Sequence, residues 1–130
     1  MKKSEIGSAV SAIILISGYG TNLQAIIDEI NKNLLPIRII SVLSDNSQAY
    51  GIERAEKSGI PTKIIDYHSF RDKTNFHQAM EENIKKLDPD LVVLAGYMRI
   101  LSEEFCHQFR GKILNIHPSL LPKFRGLNTH

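Results

Sequence analysis

The strongest constraint on the fold of this 130-residue chain is a set of short runs, mostly apolar on both sides, spaced along its whole length. Residues 12–16 (Ala-Ile-Ile-Leu-Ile), 37–43, 62–65, 91–95 and 112–116 are strand candidates, and the first is an unbroken apolar run rich in β-branched isoleucine. Stretches with helical spacing lie between them. Leu23, Ile26, Ile27 and Ile30 recur at that spacing, with Thr21 or Asn22 as N-cap. Residues 51–58 predict a short helix ended by Gly59. Phe76, Met80, Ile84 and Leu87 share one face of a helix over 73–87, which Asp88-Pro89-Asp90 breaks, and Ser102 caps a helix to residue 109. Strands buried on both faces and separated by helices predict a parallel sheet covered on each side.

The fold class expected is therefore α/β, a Rossmann-like open parallel sheet with helices on both faces. The length fits one domain over 1–130 with a single self-sufficient core. Sixteen Lys and Arg against fourteen Asp and Glu give a formal charge of +2, which gives no support for a nucleic-acid or membrane-surface binder. The lone cysteine, Cys106, cannot form an internal disulfide, and the chain has no metal-ligand spacing, so a reducing cytoplasm is the expected location. The apolar run after the Met1-Lys2-Lys3 start is too short for a secretory core, and no stretch approaches a membrane span. Residues 1–11 read as a frayed polar leader.

Right-handed crossovers place every strand-to-helix loop at one edge of such a sheet, and ligands bind at that carboxyl edge near the switch point. Three segments converge there: 17–22, 96–101 and the stretch after Ile116. Gly18-Tyr19-Gly20, directly after a strand and before a helix, is an arrangement in which backbone N–H groups and the helix dipole hold an anion. A dinucleotide fingerprint wants a third glycine where Leu23 stands, which disfavours a dehydrogenase, and no Walker Gly-Lys-Ser/Thr ending is present. Asp45, near the end of the second strand, is a weak ribose-binding candidate. The loop alone leaves two readings open, a bound monophosphate and a tight turn without a ligand.

In Asn115-Ile116-His117-Pro118-Ser119-Leu120-Leu121-Pro122, strand alternation sends Asn115 and His117 to the same side, and the two prolines stiffen the exit. An amide beside an imidazole suits a reaction that builds charge on an acyl oxygen, while an ordinary loop histidine is the competing reading. His68, His77, His107 and His130 have no such partner at spacing two, and His68 and His107 read as surface or helix residues.

Three pieces in order, residues 16–27 (Ile-Ser-Gly-Tyr-Gly-Thr-Asn-Leu-Gln-Ala-Ile-Ile), 94–101 (Leu-Ala-Gly-Tyr-Met-Arg-Ile-Leu) and 115–122, resemble the phosphoribosylglycinamide formyltransferases, or GAR transformylases. The last piece is shared with methionyl-tRNA formyltransferase and formyltetrahydrofolate hydrolase, and the glycine loop with its Thr-Asn-Leu-Gln favours the ribonucleotide enzymes. The resemblance implies transfer of a formyl group from 10-formyltetrahydrofolate to the amine of 5-phosphoribosylglycinamide in purine biosynthesis, without a metal, by a monomer or homodimer. It implies that Gly20, Thr21 and Asn22 hold the substrate phosphate. Met98, Arg99, Ile100 and Leu101 would line the folate pocket, Asn115 would polarise the formyl oxygen, and His117 would act as general acid. Lys73 stands where the family often has an arginine near the folate tail; it keeps the charge but not the bidentate fork. Arg125 replaces a usual proline and Asn128 a frequent histidine. The family's catalytic aspartate lies some tens of residues past the histidine, beyond His130. The expectation is thus an N-terminal portion that binds its ligands weakly and does not turn over, with a noncatalytic phosphate-binding fragment or another folate-dependent formyltransferase or hydrolase as the alternatives.

Overall fold

In the computed structural model, which describes residues 9–116, strand and helix alternate. The order is β1 (Val10–Ile16), α1 (Thr21–Asn31), β2 (Ile37–Ser44), α2 (Gly51–Lys57), β3 (Thr62–Ile64), α3 (Lys73–Leu87), β4 (Leu91–Leu94), α4 (Glu103–Gln108) and β5 (Ile113–Asn115). A short 3-10 turn at Tyr67–Ser69 precedes α3. The strands form one sheet in the order β3-β2-β1-β4-β5, with every neighbouring pair parallel. The chain thus has the open parallel α/β architecture its alternating runs predict.

β1 is the centre of the sheet, and Ser11 through Ile16 are all buried. Its side chains alternate between two cores, as strand geometry requires. Ala12, Ile14 and Ile16 meet Leu23, Ile26, Ile27, Ile52 and Ala55 of α1 and α2. Ile13 and Leu15 meet Phe76, Met80 and Ile84 of α3 and Phe105 of α4 on the opposite face. Each such fully buried aliphatic contributes roughly 1.5–3 kcal/mol, so a strand apolar on both faces is stable only between two helical layers. Against β2, the register shifts between Ala12 and Ile13, and Ile40 is the extra residue.

The start of α4 bears out its expected cap, with Ser102 Oγ accepting the Phe105 N–H at 3.0 Å, and α3 is capped by Asp72, whose carboxylate accepts the Thr74 N–H at 2.9 Å. The start of α1 is a correction. Neither Thr21 nor Asn22 caps it: Gly20 holds the cap position at φ +85°, Thr21 is already helical, and no side chain bonds the first turn. The reason is a close backbone crossing. A Cβ on Gly20 would lie 2.6 Å from Gly51 Cα, and one on Gly51 would lie 2.5 Å from Ile16 Cδ1. Both positions need glycine, and the left-handed turn that brings them together leaves the capping role to a residue with no side chain. Leu87, expected on the buried face of α3, is 40% exposed, because the helix ends there in the left-handed Asp88.

The order β3-β2-β1-β4-β5 reverses direction between β1 and β4, so their following loops part at the carboxyl edge. Ser17, Asp45, Ala95 and Asn115 lie at that edge or just before it.

Candidate functional site

The loop after β1 is short and closed by backbone contacts. The Gly51 N–H donates to Gly18 O at 3.0 Å, and the first bond of α1 runs from the Gln24 N–H to Gly20 O at 2.8 Å. The first-turn N–H groups ahead of Gln24 therefore have no partner within the helix. Thr21 is exposed and Gly20 and Asn22 are half-buried, and this helix start follows the carboxyl end of β1. The first turn holds no acidic side chain and ends an eleven-residue helix, leaving a positive dipole end for an anion. Leu23 is wholly buried in the core and stands where a dinucleotide fingerprint needs glycine. At that position the helix packs on the sheet through a large side chain instead of approaching it closely.

The half-buried Arg54 of α2 braces this loop from behind. Its Nε donates to Tyr19 O at 2.8 Å and its Nη1 to Gln24 Oε1 at 3.3 Å. The guanidinium carbon lies 4.5 Å from the centroid of the Tyr19 ring, which itself stacks on Tyr50 at 5.0 Å. This ties the Tyr19 carbonyl and ring to α2.

The loop after β4 lies beside it, and the two are joined by one bond, from the Met98 N–H to Ser17 Oγ at 2.8 Å. Met98 and Ile100 are 74% and 89% exposed, while Tyr97 and Leu101 pack against the α3/α4 core. Arg99 turns inward and pairs with the carboxylate of Asp45, its guanidinium carbon 3.7 Å from the centroid of the Tyr67 ring. A cavity of about 240 Å³ is lined by Tyr67, His77, Met98, Arg99 and Ile100. The Tyr67 ring and the exposed Met98 and Ile100 side chains give this cavity apolar faces suited to a flat ring, while the Arg99 charge is taken up by Asp45. The Tyr97 hydroxyl is pushed above the ordinary tyrosine range, chiefly by burial and further by the Asp45 charge, against an opposing pull from Arg99. It stays protonated.

Lys73 stands at the first position of α3, and its ammonium is held locally. It donates to Tyr67 O and Phe70 O, both at 2.7 Å, and lies 4.1 Å from the Tyr67 ring centroid. Asn115 ends β5, exposed and in register with Leu94 at the end of β4. His117, Arg125 and Asn128 lie outside the described residues. The structure therefore brings Gly20, Thr21 and Asn22 to the same edge as Met98, Arg99, Ile100 and Leu101. Asp45 is fully buried and paired, which removes it as a ribose ligand. Sequence reasoning missed the Asp45–Arg99 pair, the Arg54 brace and the Ser17 bridge. The signal for the first was an acid directly after one strand that flanks β1 and a base five residues after the other. Among the described residues, no cluster of three or more His, Cys, Asp or Glu is placed to hold a metal ion, and no helix is long and apolar enough to cross a membrane.

A doubly wound sheet with two bridged loops at its switch point defines a ligand-binding α/β domain, and a family model described as formyl transferase matches residues 10–130. The chain belongs to the formyl transferase family. More particularly, it is 47% identical over 117 residues to phosphoribosylglycinamide formyltransferase of Haemophilus influenzae, covering 90% of this chain and 55% of that protein. The enzyme of the same name from Escherichia coli is 44% identical, with 93% and 57% covered. The solved phosphoribosylglycinamide formyltransferase of Coxiella burnetii, in complex with CHES, superposes with a TM-score of 0.80 at 49% identity, again over 93% of this chain and 57% of that one. The chain thus spans a little over half the length of these relatives.

Proposed function

We propose that this chain carries the phosphate-binding and folate-binding edge of a cytoplasmic phosphoribosylglycinamide formyltransferase. The reaction is transfer of a formyl group from 10-formyltetrahydrofolate to the amine of 5-phosphoribosylglycinamide in purine biosynthesis. One observation supports this reading above others: the uncapped N-terminus of α1 is bonded through Ser17 to the 96–101 loop, in a chain nearly half identical to enzymes of that name.

The roles proposed are those the family resemblance implies. The first-turn amides of α1, at Gly20, Thr21 and Asn22, take the phosphate of the ribonucleotide. The loop 98–101 takes the folate ring, with the exposed Met98 and Ile100 supplying apolar contact and the chain backbone supplying polar contact. The bound folate supplies the formyl carbon that the glycinamide amine attacks. Asn115, at the end of β5, donates a hydrogen bond to the formyl oxygen as negative charge builds there, and protonated His117 stabilises the same charge. The amine loses a proton and the departing folate nitrogen gains one, so no oxidant or reductant enters the balance.

The test is direct. The protein is incubated with both substrates and the formylated ribonucleotide is followed by mass, while ribose 5-phosphate is titrated against the backbone amide resonances. Shifts confined to residues 20–22, with formylated product from a form of the protein that also carries the aspartate the resemblance implies, support the reading. Phosphate-ester binding without product from any form of the protein that contains Asn115 and His117 supports the noncatalytic alternative. Tight NADH binding at the glycine loop would overturn both.

A further inference from the structure

We propose that Asp45 is a positioning residue for the formyl donor, its buried carboxylate holding the Arg99 guanidinium and, through it, the loop on which the folate rests. The proposal rests on the functional reading above. Between Tyr97 and Leu101, which pack against the core, the intervening side chains of Met98 and Ile100 are exposed and contribute little anchorage. Two polar ties hold that stretch: the Met98 N–H on Ser17 Oγ, and Arg99 on Asp45.

The second tie is the stronger in physical terms. Asp45 is 0% exposed and the Arg99 side chain 26%, so the attraction acts where water screens it poorly. Asp45 Oδ1 has no hydrogen-bond partner among the described residues, so compensation of the buried charge falls on Arg99. Pulling Arg99 away would leave that carboxylate desolvated and unpaired, a heavily penalised state. The Asp45 backbone adds a second hold, because its carbonyl accepts the Tyr67 N–H at 2.9 Å, and the Tyr67 ring carries the Arg99 guanidinium. One buried residue at the end of β2 thus fixes both walls of the cavity formed by Tyr67, Arg99 and Ile100. It does not itself line that cavity.

Asp45→Asn, Arg99→Gln and the double variant provide the test, each titrated with tetrahydrofolate and, separately, with ribose 5-phosphate. An amide accepts only a neutral-acceptor bond from Arg99, roughly half as strong as the charged one. Asp45→Asn is expected to weaken tetrahydrofolate roughly tenfold and to leave ribose 5-phosphate within about twofold. In the double variant, which also removes the carboxylate that Arg99→Gln leaves unpaired, the tetrahydrofolate loss is expected to be no greater than with Arg99→Gln alone. Equal loss of both ligands, unchanged tetrahydrofolate affinity, or additive losses in the double variant would each overturn the proposal. Should Asp45→Asn not fold, hydrogen exchange of the Met98 to Ile100 amides in Arg99→Gln decides: about tenfold faster exchange is expected, and an unchanged rate refutes the tie. An unmodified protein that binds ribose 5-phosphate but not tetrahydrofolate overturns the formyl-donor reading and this proposal with it. Failure of the proposal alone leaves the unmodified protein binding both.

Discussion

The loop after β1 is held by backbone geometry, whereas the loop after β4 is held by charge. At the first, Gly20 at φ +85° crosses Gly51 so closely that neither tolerates a Cβ, and the N–H of Gly51 closes the turn on Gly18. At the second, an inward-facing Arg99 is fastened to a buried Asp45 while its neighbours Met98 and Ile100 face outward. The difference suits two kinds of ligand. A phosphate is small and uniformly charged, and a rigid row of amides meets it with no side chain in the way. A folate, on the proposed reading, brings a broad, flat ring edged with hydrogen-bonding groups, and suits exposed side chains and backbone on a loop anchored from below.

If the loops bind and neither reacts, the largest effect comes from a residue on neither. His117→Ala in a protein that turns over is expected to lower kcat by a factor on the order of 10² to 10⁴. The affinities for ribose 5-phosphate and tetrahydrofolate should stay within about threefold. Single-turnover rates beside titrations check this, and unchanged turnover removes His117 from the chemistry.

The backbone-held loop breaks next. Gly20→Val adds a β-branched side chain at positive φ and drives it into Gly51, with strain and overlap each costing about 1–3 kcal/mol. Urea unfolding should show that loss, and ribose 5-phosphate binding should fall with it. Tetrahydrofolate binding surviving in the folded fraction would sharpen the contrast between the loops.

Arg54→Ala is a milder probe of the same side. It removes the donors to the Tyr19 carbonyl and Gln24 and the contact over Tyr19, without touching a helix-start amide. A loss of about 1–2 kcal/mol in stability is expected, with ribose 5-phosphate weakened more than tetrahydrofolate. The reverse order would mean that Arg54 serves the other loop.

The smallest effect is at the bridge. Ser17→Ala removes one neutral hydrogen bond, to the Met98 amide, worth about 0.5–1.5 kcal/mol. Both ligands should weaken by similar small factors, since the bond joins the two loops. A cycle combining Ser17→Ala with Asp45→Asn measures how far the two anchors of the 96–101 loop act together.

The architecture was legible because the strands are too apolar to stand with one face in water. Residues 12–16 offer no polar alternation, so two covering layers follow, and the helical spacing of Phe76, Met80 and Ile84 marks one of them. The glycine loop was legible through its place between strand and helix. Its cap was not: Thr21 and Asn22 are good capping residues by type, yet the crossing of Gly20 over Gly51, thirty-one positions apart in the chain, puts the helix start one or two residues earlier. The inward turn of Arg99 was equally hidden, since Met98, Arg99 and Ile100 read as a single lining until burial separates them.

The sequence by itself determined the layers, the strand-helix alternation and the placement of a glycine turn at a helix start, because each depends on local periodicity and on which faces must avoid water. Only the tertiary structure decided which strands flank β1, and so which loops meet. With β2 on one side and β4 on the other, Asp45 at the end of one reaches Arg99 beyond the end of the other, fifty-four residues away. That pairing is set by strand order and burial, which no local pattern of residues encodes.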